Sequence, residues 1–167
     1  MAEPVGFRDF VEARSASLLR TAWMLTGETA AAEDLLQTSL ARTWPHWAKV
    51  GAGRPDAYVR TVMVRTHASW RSRRWHGELP TDDVVTLAGS GDDEHARVEE
   101  RVVLASALAT LPVRQRQVVV LRYFDDLSVE DVAEIMNSST GTVKSQSAKG
   151  LAKLRDALGH LEEVERR

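Results

Sequence analysis

Residues 111–158 read LPVRQRQVVVLRYFDDLSVEDVAEIMNSSTGTVKSQSAKGLAKLRDAL, and this stretch decides the fold. It breaks into three helical segments in quick succession. Residues 114–123 carry Val118, Val119 and Leu121 on an apolar face broken by charge at Arg122, and Phe124-Asp125-Asp126-Leu127 stops the segment. Ser128 is placed to cap the next helix, because its hydroxyl accepts from a backbone N–H one turn on. Asp131 stands where a capping-box acid reaches back. The short helix that follows buries Val132, Ile135 and Met136 on one side. Asn137 tolerates the left-handed backbone that a tight turn between helices requires. Ser139 caps a longer helix, whose inward stripe is Val143, Ser147, Gly150, Leu151, Leu154 and Leu158. A short helix, a left-handed turn and a longer capped helix make a helix-turn-helix.

The other face of that last helix carries the functional information. Thr142, Ser145, Lys149, Ala152 and Asp156 project away from the apolar stripe, flanked by Gln146, Ala148 and Lys153. Residues 139–155 hold Lys144, Lys149, Lys153 and Arg155 and no acid, a local charge of +4. Small hydroxyls near the N-terminus, Ser139, Thr140, Thr142 and Ser145, let backbone approach phosphate where the helix dipole also favours anions. Gln146 and Lys149 are long enough to read base edges in a major groove. A helical hairpin with a solvated lysine face is the plain alternative. The capped turn, the acid-free helix and its small N-terminal residues together favour DNA.

LSVEDVAEIMNSSTGTVKSQSAKGLAKLR resembles the C-terminal domain of the extracytoplasmic-function (group IV) sigma factors of bacterial RNA polymerase, in their SigE-like subgroup. GTVKS, from Gly141 to Ser145, is the most specific part, and LP-x-RQR, from Leu111 to Arg116, fits the same family. Met136-Asn137 stands where the family usually has Leu-Gly, and Gln146 where Arg is frequent. The resemblance implies that Ser139, Thr140, Thr142, Lys144, Ser145, Gln146 and Lys149 meet the -35 promoter element.

At 167 residues the chain suits one domain or two small ones, and 43% hydrophobic content is enough for compact helical cores. No apolar run approaches the length of a membrane span, and the N-terminus lacks the basic-then-apolar pattern of a signal peptide. A cytoplasmic protein with no membrane insertion is expected. The absence of cysteine excludes disulfides, thiolate nucleophiles and cysteine-containing zinc sites, and the five histidines form no ligand pair. No metal, cofactor or catalytic constellation is expected, so the chain reads as a binding protein rather than an enzyme. The net charge of −2 hides an organised distribution. Residues 54–76 carry +5, whereas residues 77–100 carry −7.

Residues 7–25 have a helical apolar period with Gly27 as the stop. Thr29 begins a second helix, with Leu36, Leu40 and Trp44 inward and Pro45, Gly51 and Gly53 ending it. Asp34, Gln37 and Ala41 lie on another side and, taken alone, are a solvated helix face. By resemblance, AEDLLQ is the region that grips a coiled coil of the polymerase clamp, with Asp34 and Gln37 as contacts. Thr38 stands where an acid is usual.

Pro55 starts a third helix reaching about Arg74, with Tyr58, Val59, Val62 and Thr66 toward the core. Arg60, Val64, His67, Arg71 and Arg74 recur at spacings that align them on the opposite face. Such a cation stripe, flanked by Trp70 and Trp75, has the components for gripping a strand and stacking unpaired bases, although either tryptophan alone reads more simply as packing. In the family this segment opens the -10 element, which implies strand contacts from Arg60, Arg65, His67, Trp70, Arg71 and Arg74. Arg65 stands at the position often held by Asn.

The expected architecture is all-α, with two small helical domains joined by an acidic flexible linker and the second a helix-turn-helix. The boundaries are 1–76 for the clamp and -10 domain, 77–93 for the linker and 94–167 for the -35 domain. By resemblance the linker, with Asp82, Asp83, Asp92 and Asp93, threads a polymerase channel. The function implied is a sigma factor with core RNA polymerase and promoter DNA as partners, and an anti-sigma protein as a further candidate. An autonomous helix-turn-helix regulator is the alternative, and it leaves the basic N-terminal stripe unexplained.

Overall fold

Each helix begins and ends where its local chemistry requires. The computed structural model describes residues 2–75 and 92–166. Helix α1 (Phe7–Thr26) stops at Gly27, whose φ of 75° is the left-handed conformation that glycine adopts without a Cβ clash. Helix α2 (Thr29–Thr43) runs into a 3₁₀ turn (Trp44–His46) containing Pro45, and a single turn α3 (Trp47–Val50) follows. Helix α4 (Pro55–Trp75) completes the N-terminal half. The C-terminal half comprises α5 (Asp92–Ala109), α6 (Val113–Val119), α7 (Val129–Met136) and α8 (Thr140–Glu165). No strand occurs among the described residues.

Two expectations shift. Asp92 and Asp93 open α5 rather than closing the linker; the rest of the expected linker, including Asp82 and Asp83, lies outside the described residues. The segment read as one helix over residues 114–123 is α6 followed by a π turn (Val120–Phe124). There Asp125 N–H reaches back five residues to Val120 O at 3.0 Å, and Asp126 takes a φ of 53°.

Helix-on-helix packing buries one apolar layer shared by both halves. Leu18, Leu25, Leu35, Val59 and Met63 from the N-terminal half meet Leu108, Leu111, Val119, Val120 and Leu154 from the C-terminal half. A second cluster surrounds the helix-turn-helix with Val118, Leu121, Val132, Ile135, Met136 and Val143, and Val64 of α4 completes it. At the far end Phe7 packs edge-on against Trp44 and Trp47, with ring centroids 4.9 and 5.1 Å away. Trp47 Nε1 also donates to Val5 O at 2.9 Å. These tryptophans are therefore core anchors, with the indole N–H satisfied in the buried one.

Candidate nucleic-acid interface

The helix-turn-helix is built as its residues dictate. Ser128 Oγ accepts from Asp131 N–H at 3.0 Å and starts α7. Asn137 adopts φ 50°, ψ 52°, the left-handed turn that ends it. Ser139 Oγ then accepts from Thr142 N–H at 3.1 Å and starts α8. Each cap satisfies an N–H that the first turn would otherwise leave open, worth about 1 kcal/mol.

Helix α8 is held against α6 by close approach. Val143, Ser147, Gly150 and Leu154 face inward and are buried. A Cβ on Gly150 would lie 2.6 Å from Val119 Cγ2 and 3.2 Å from Gln115 O, so only glycine lets the helices come this near. The outward face then presents Ser139, Thr140, Thr142, Lys144, Ser145 and Lys149 to solvent, with Gln146 half-buried.

Beside that face lies a cleft of about 410 Å³ lined by Arg122, Tyr123, Lys144, Ala148, Ala152 and Arg155. Arg122 donates to Leu127 O, and its guanidinium carbon sits 5.7 Å from the centre of the exposed Tyr123 ring. The sequence pattern reads Arg122 only as a charge breaking the apolar face of its helix and gives Tyr123 no role. Both lie in the π turn and line the cleft together with α8.

The Arg116 of the LP-x-RQR motif has a structural part. Its guanidinium donates to Leu25 O at 2.9 Å, Ala109 O at 3.1 Å and Leu111 O at 3.3 Å. Burial, with a smaller push from Arg71, lowers its pKa to about 10. It remains a cation at neutral pH, tying α6 to the ends of α1 and α5. On the surface Arg54 bridges to Asp131 at 2.6 Å and Glu134 at 3.2 Å. Hydrogen bonds from Arg54, then from Ser128, hold the Asp131 carboxyl below its ordinary range.

The α4 residues divide. Arg65 and Arg71 are exposed, Trp70 is half-buried against the main core, and the side chain of Arg74 lies outside the described set. Arg60 and His67 are not on an open stripe: both are buried, as is Val64 between them. The expectation of a continuous exposed cation face fails here because periodicity identifies a face without saying what covers it. The C-terminal half covers this one. On α2, Asp34, Gln37 and Ala41 are exposed as their spacing predicted.

Among known proteins, residues 107–156 match the family Sigma-70, region 4. The RNA polymerase sigma-E factor of Streptomyces coelicolor is 38% identical over 159 residues, covering 95% of this chain and 89% of the relative. The ECF RNA polymerase sigma factor SigL of Mycobacterium tuberculosis is 32% identical over 166 residues, covering 96% and 93%. Among solved structures, the sigma factor RpoE of Bartonella quintana, in complex with the anti-sigma factor NepR, superposes with a TM-score of 0.70 at 24% identity, covering 92% of this chain and 96% of that one. CnrH, in complex with the cytosolic domain of CnrY, gives 0.66 at 21% identity, covering 92% and 88%. At those identities the two structures speak for the fold.

Proposed function

The chain belongs to the extracytoplasmic-function family of RNA polymerase sigma factors and directs the polymerase to specific promoters, and we propose that it does so through three separate surfaces. Helix α8 docks in the major groove of the -35 element, with Ser139, Thr140, Thr142, Lys144 and Lys149 near phosphates and Ser145 and Gln146 toward base edges. The α4 face, through Arg60, Arg65, His67, Trp70, Arg71 and Arg74, holds the melted -10 strand. Asp34 and Gln37 on α2 contact the clamp of core polymerase. The working units are residues 1–76 and 92–167, with 77–91 between them.

The observation that carries this reading is the exposed side of residues 139–155, with four cations and no acid, on a helix capped at Ser139 and seated by Gly150. Two weak DNA contacts joined through one rigid polymerase multiply by effective concentration, so the free chain binds promoters poorly. The polymerase performs the chemistry, in the cytoplasm, and this chain selects the site. An anti-sigma protein is a further partner on this reading, as NepR is for the Bartonella protein. An autonomous regulator is set aside, since the likeness to sigma factors runs through both halves.

Run-off transcription tests the proposal. Core polymerase with this chain should yield promoter-specific transcripts from a fragment library, and Asp34→Lys should weaken core binding in a titration. No promoter-specific transcript from any fragment would refute the reading.

A further inference from the structure

Helix α8 carries a second stripe, of which the promoter reading uses only Lys144. Lys144, Ala148, Leu151 and Arg155 recur at helical spacing, round the helix from Thr142, Ser145 and Lys149. The stripe forms one wall of the cleft of about 410 Å³, and Arg122, Tyr123 and Val129 form the other. No acid lines it. Lys144 and Arg155 are exposed and have no hydrogen-bond or ion-pair partner among the described residues, so both are free to meet a ligand.

Ser147 lines the same cleft and is only 6% exposed, yet its hydroxyl has no hydrogen-bond partner. A hydroxyl buried on a helix ordinarily bonds back to the carbonyl four residues before it. The other buried hydroxyls among the described residues are all satisfied. Thr21, Ser39 and Thr43 each bond to the carbonyl one turn back, and Thr66 accepts from Arg42. An unpaired buried hydroxyl beside three cations marks a place where a bound anion supplies the missing acceptor.

We propose that this cleft binds a nucleoside di- or triphosphate. Arg122, Lys144 and Arg155 meet the phosphates through charge-assisted hydrogen bonds, and Ser147 donates to a phosphate oxygen. Lys144 and Arg155 stand three turns apart on α8, about 16 Å along its axis, a span that suits a phosphate chain with its nucleoside better than a lone phosphate. The Tyr123 ring is 47% exposed with the Arg122 guanidinium over it, and Ala148, Leu151 and Ala152 keep the facing wall low. A flat base stacks in such a slot as bases do on aromatic and guanidinium planes. The volume also falls in the range of small-ligand sites, about 300–1,000 Å³. A promoter duplex rests on the outward face of α8 and does not reach a hydroxyl as deep as that of Ser147.

The consequence for promoters rests on the docking reading of α8, since Lys144 belongs both to this cleft and to the phosphate contacts of the -35 element. A bound nucleotide occupies Lys144 and adds negative charge beside the path of the DNA. Nucleotide and promoter therefore oppose each other, and by linkage each weakens the other by the same factor. Promoter affinity would then respond to the supply of free nucleotide.

Nuclear magnetic resonance of the full chain without DNA reads the site alone, so a failure there leaves the promoter reading standing. Millimolar ADP or GDP should shift the backbone amides of Tyr123, Lys144, Ser147, Ala148 and Ala152 saturably. Ser147→Ala should weaken binding about tenfold while the fold is kept, because alanine suits a helix interior. A diffuse cationic surface would be indifferent to a buried neutral hydroxyl, so equal affinity in Ser147→Ala would overturn the proposal. Shifts spread over the exposed arginines of α4, or inorganic pyrophosphate binding as tightly as ADP, would overturn it too. With core polymerase, ADP should lower promoter affinity, and Arg155→Ala should remove most of that sensitivity. Sensitivity that survives Arg155→Ala comes from the polymerase and would sink the competition. Failure to bind any promoter even without nucleotide would strike the promoter reading instead.

Discussion

Gly150 and Gly159 lie on the same helix, and alanine at each should move stability in opposite directions. In a helix interior, replacing glycine by alanine removes an entropic penalty of about 0.5–1 kcal/mol. At Gly159 a Cβ meets nothing within 4 Å, so that gain should appear, somewhat reduced by its place in the last two turns. At Gly150 the Cβ falls 2.6 Å from Val119 Cγ2, more than 1 Å inside ordinary carbon contact. Val119 is fully buried and β-branched, with little freedom to turn aside, and the second obstacle is the Gln115 backbone carbonyl. Overpacking of this kind costs about 1–3 kcal/mol, and here the upper part of the range applies. Subtracting the helix gain leaves a net loss of about 1–2 kcal/mol at Gly150. Urea unfolding followed by circular dichroism reads both values. With a slope of about 2 kcal/mol per molar, the midpoints of the two variants should differ by about 1 M. Similar shifts in the same direction would refute the claim that the approach of α6, and not helix propensity, selects glycine at 150.

Other outcomes follow from the same geometry. Ser139→Ala removes the acceptor for Thr142 N–H and should cost about 1 kcal/mol in the same unfolding assay. Lys149→Ala should weaken promoter binding across sequences and reduce its salt slope by about one, whereas Gln146→Ala should relax preference at one base pair; holoenzyme binding at several salt concentrations separates them. Asp131 has a depressed carboxyl pKa, so its contribution is complete above its unfolded value and disappears as pH falls through the folded one. Wild-type stability should therefore fall more steeply through the acid carboxylate range than that of Asp131→Asn, and parallel curves from urea midpoints would count against the Arg54 pairing.

Local chemistry was legible wherever a residue acts on its own neighbours. Ser128, Asn137 and Ser139 set the ends of α7 and α8 through bonds spanning three residues or a single backbone dihedral, and both kinds of signal lie within the sequence window that reveals them. The inward stripes of α7 and α8 were legible for the same reason, since 3.6-residue periodicity sorts one helix into faces. The π turn was not. Residues 120–124 have helical character in sequence, and the contacts made around their last turn, Leu121 in the second apolar cluster and Asp125 with Arg60, come from elements distant in the chain.

The sequence by itself determined the helices, their caps, the helix-turn-helix and the cationic outward face of α8, because each depends on interactions within a turn or two of the chain. It also determined that α4 has two faces. Tertiary structure alone decided what covers the second. Arg60 and His67 read as exposed cations by period, yet Asp125, 65 residues from Arg60, and Gln117, 50 residues from His67, close over them. Likewise Arg116, an ordinary cation in its motif, is buried because the carbonyls of Leu25, Ala109 and Leu111 converge on it. A guanidinium is at home in water or in a cage of acceptors, and which it finds depends on elements distant in sequence that only packing brings together.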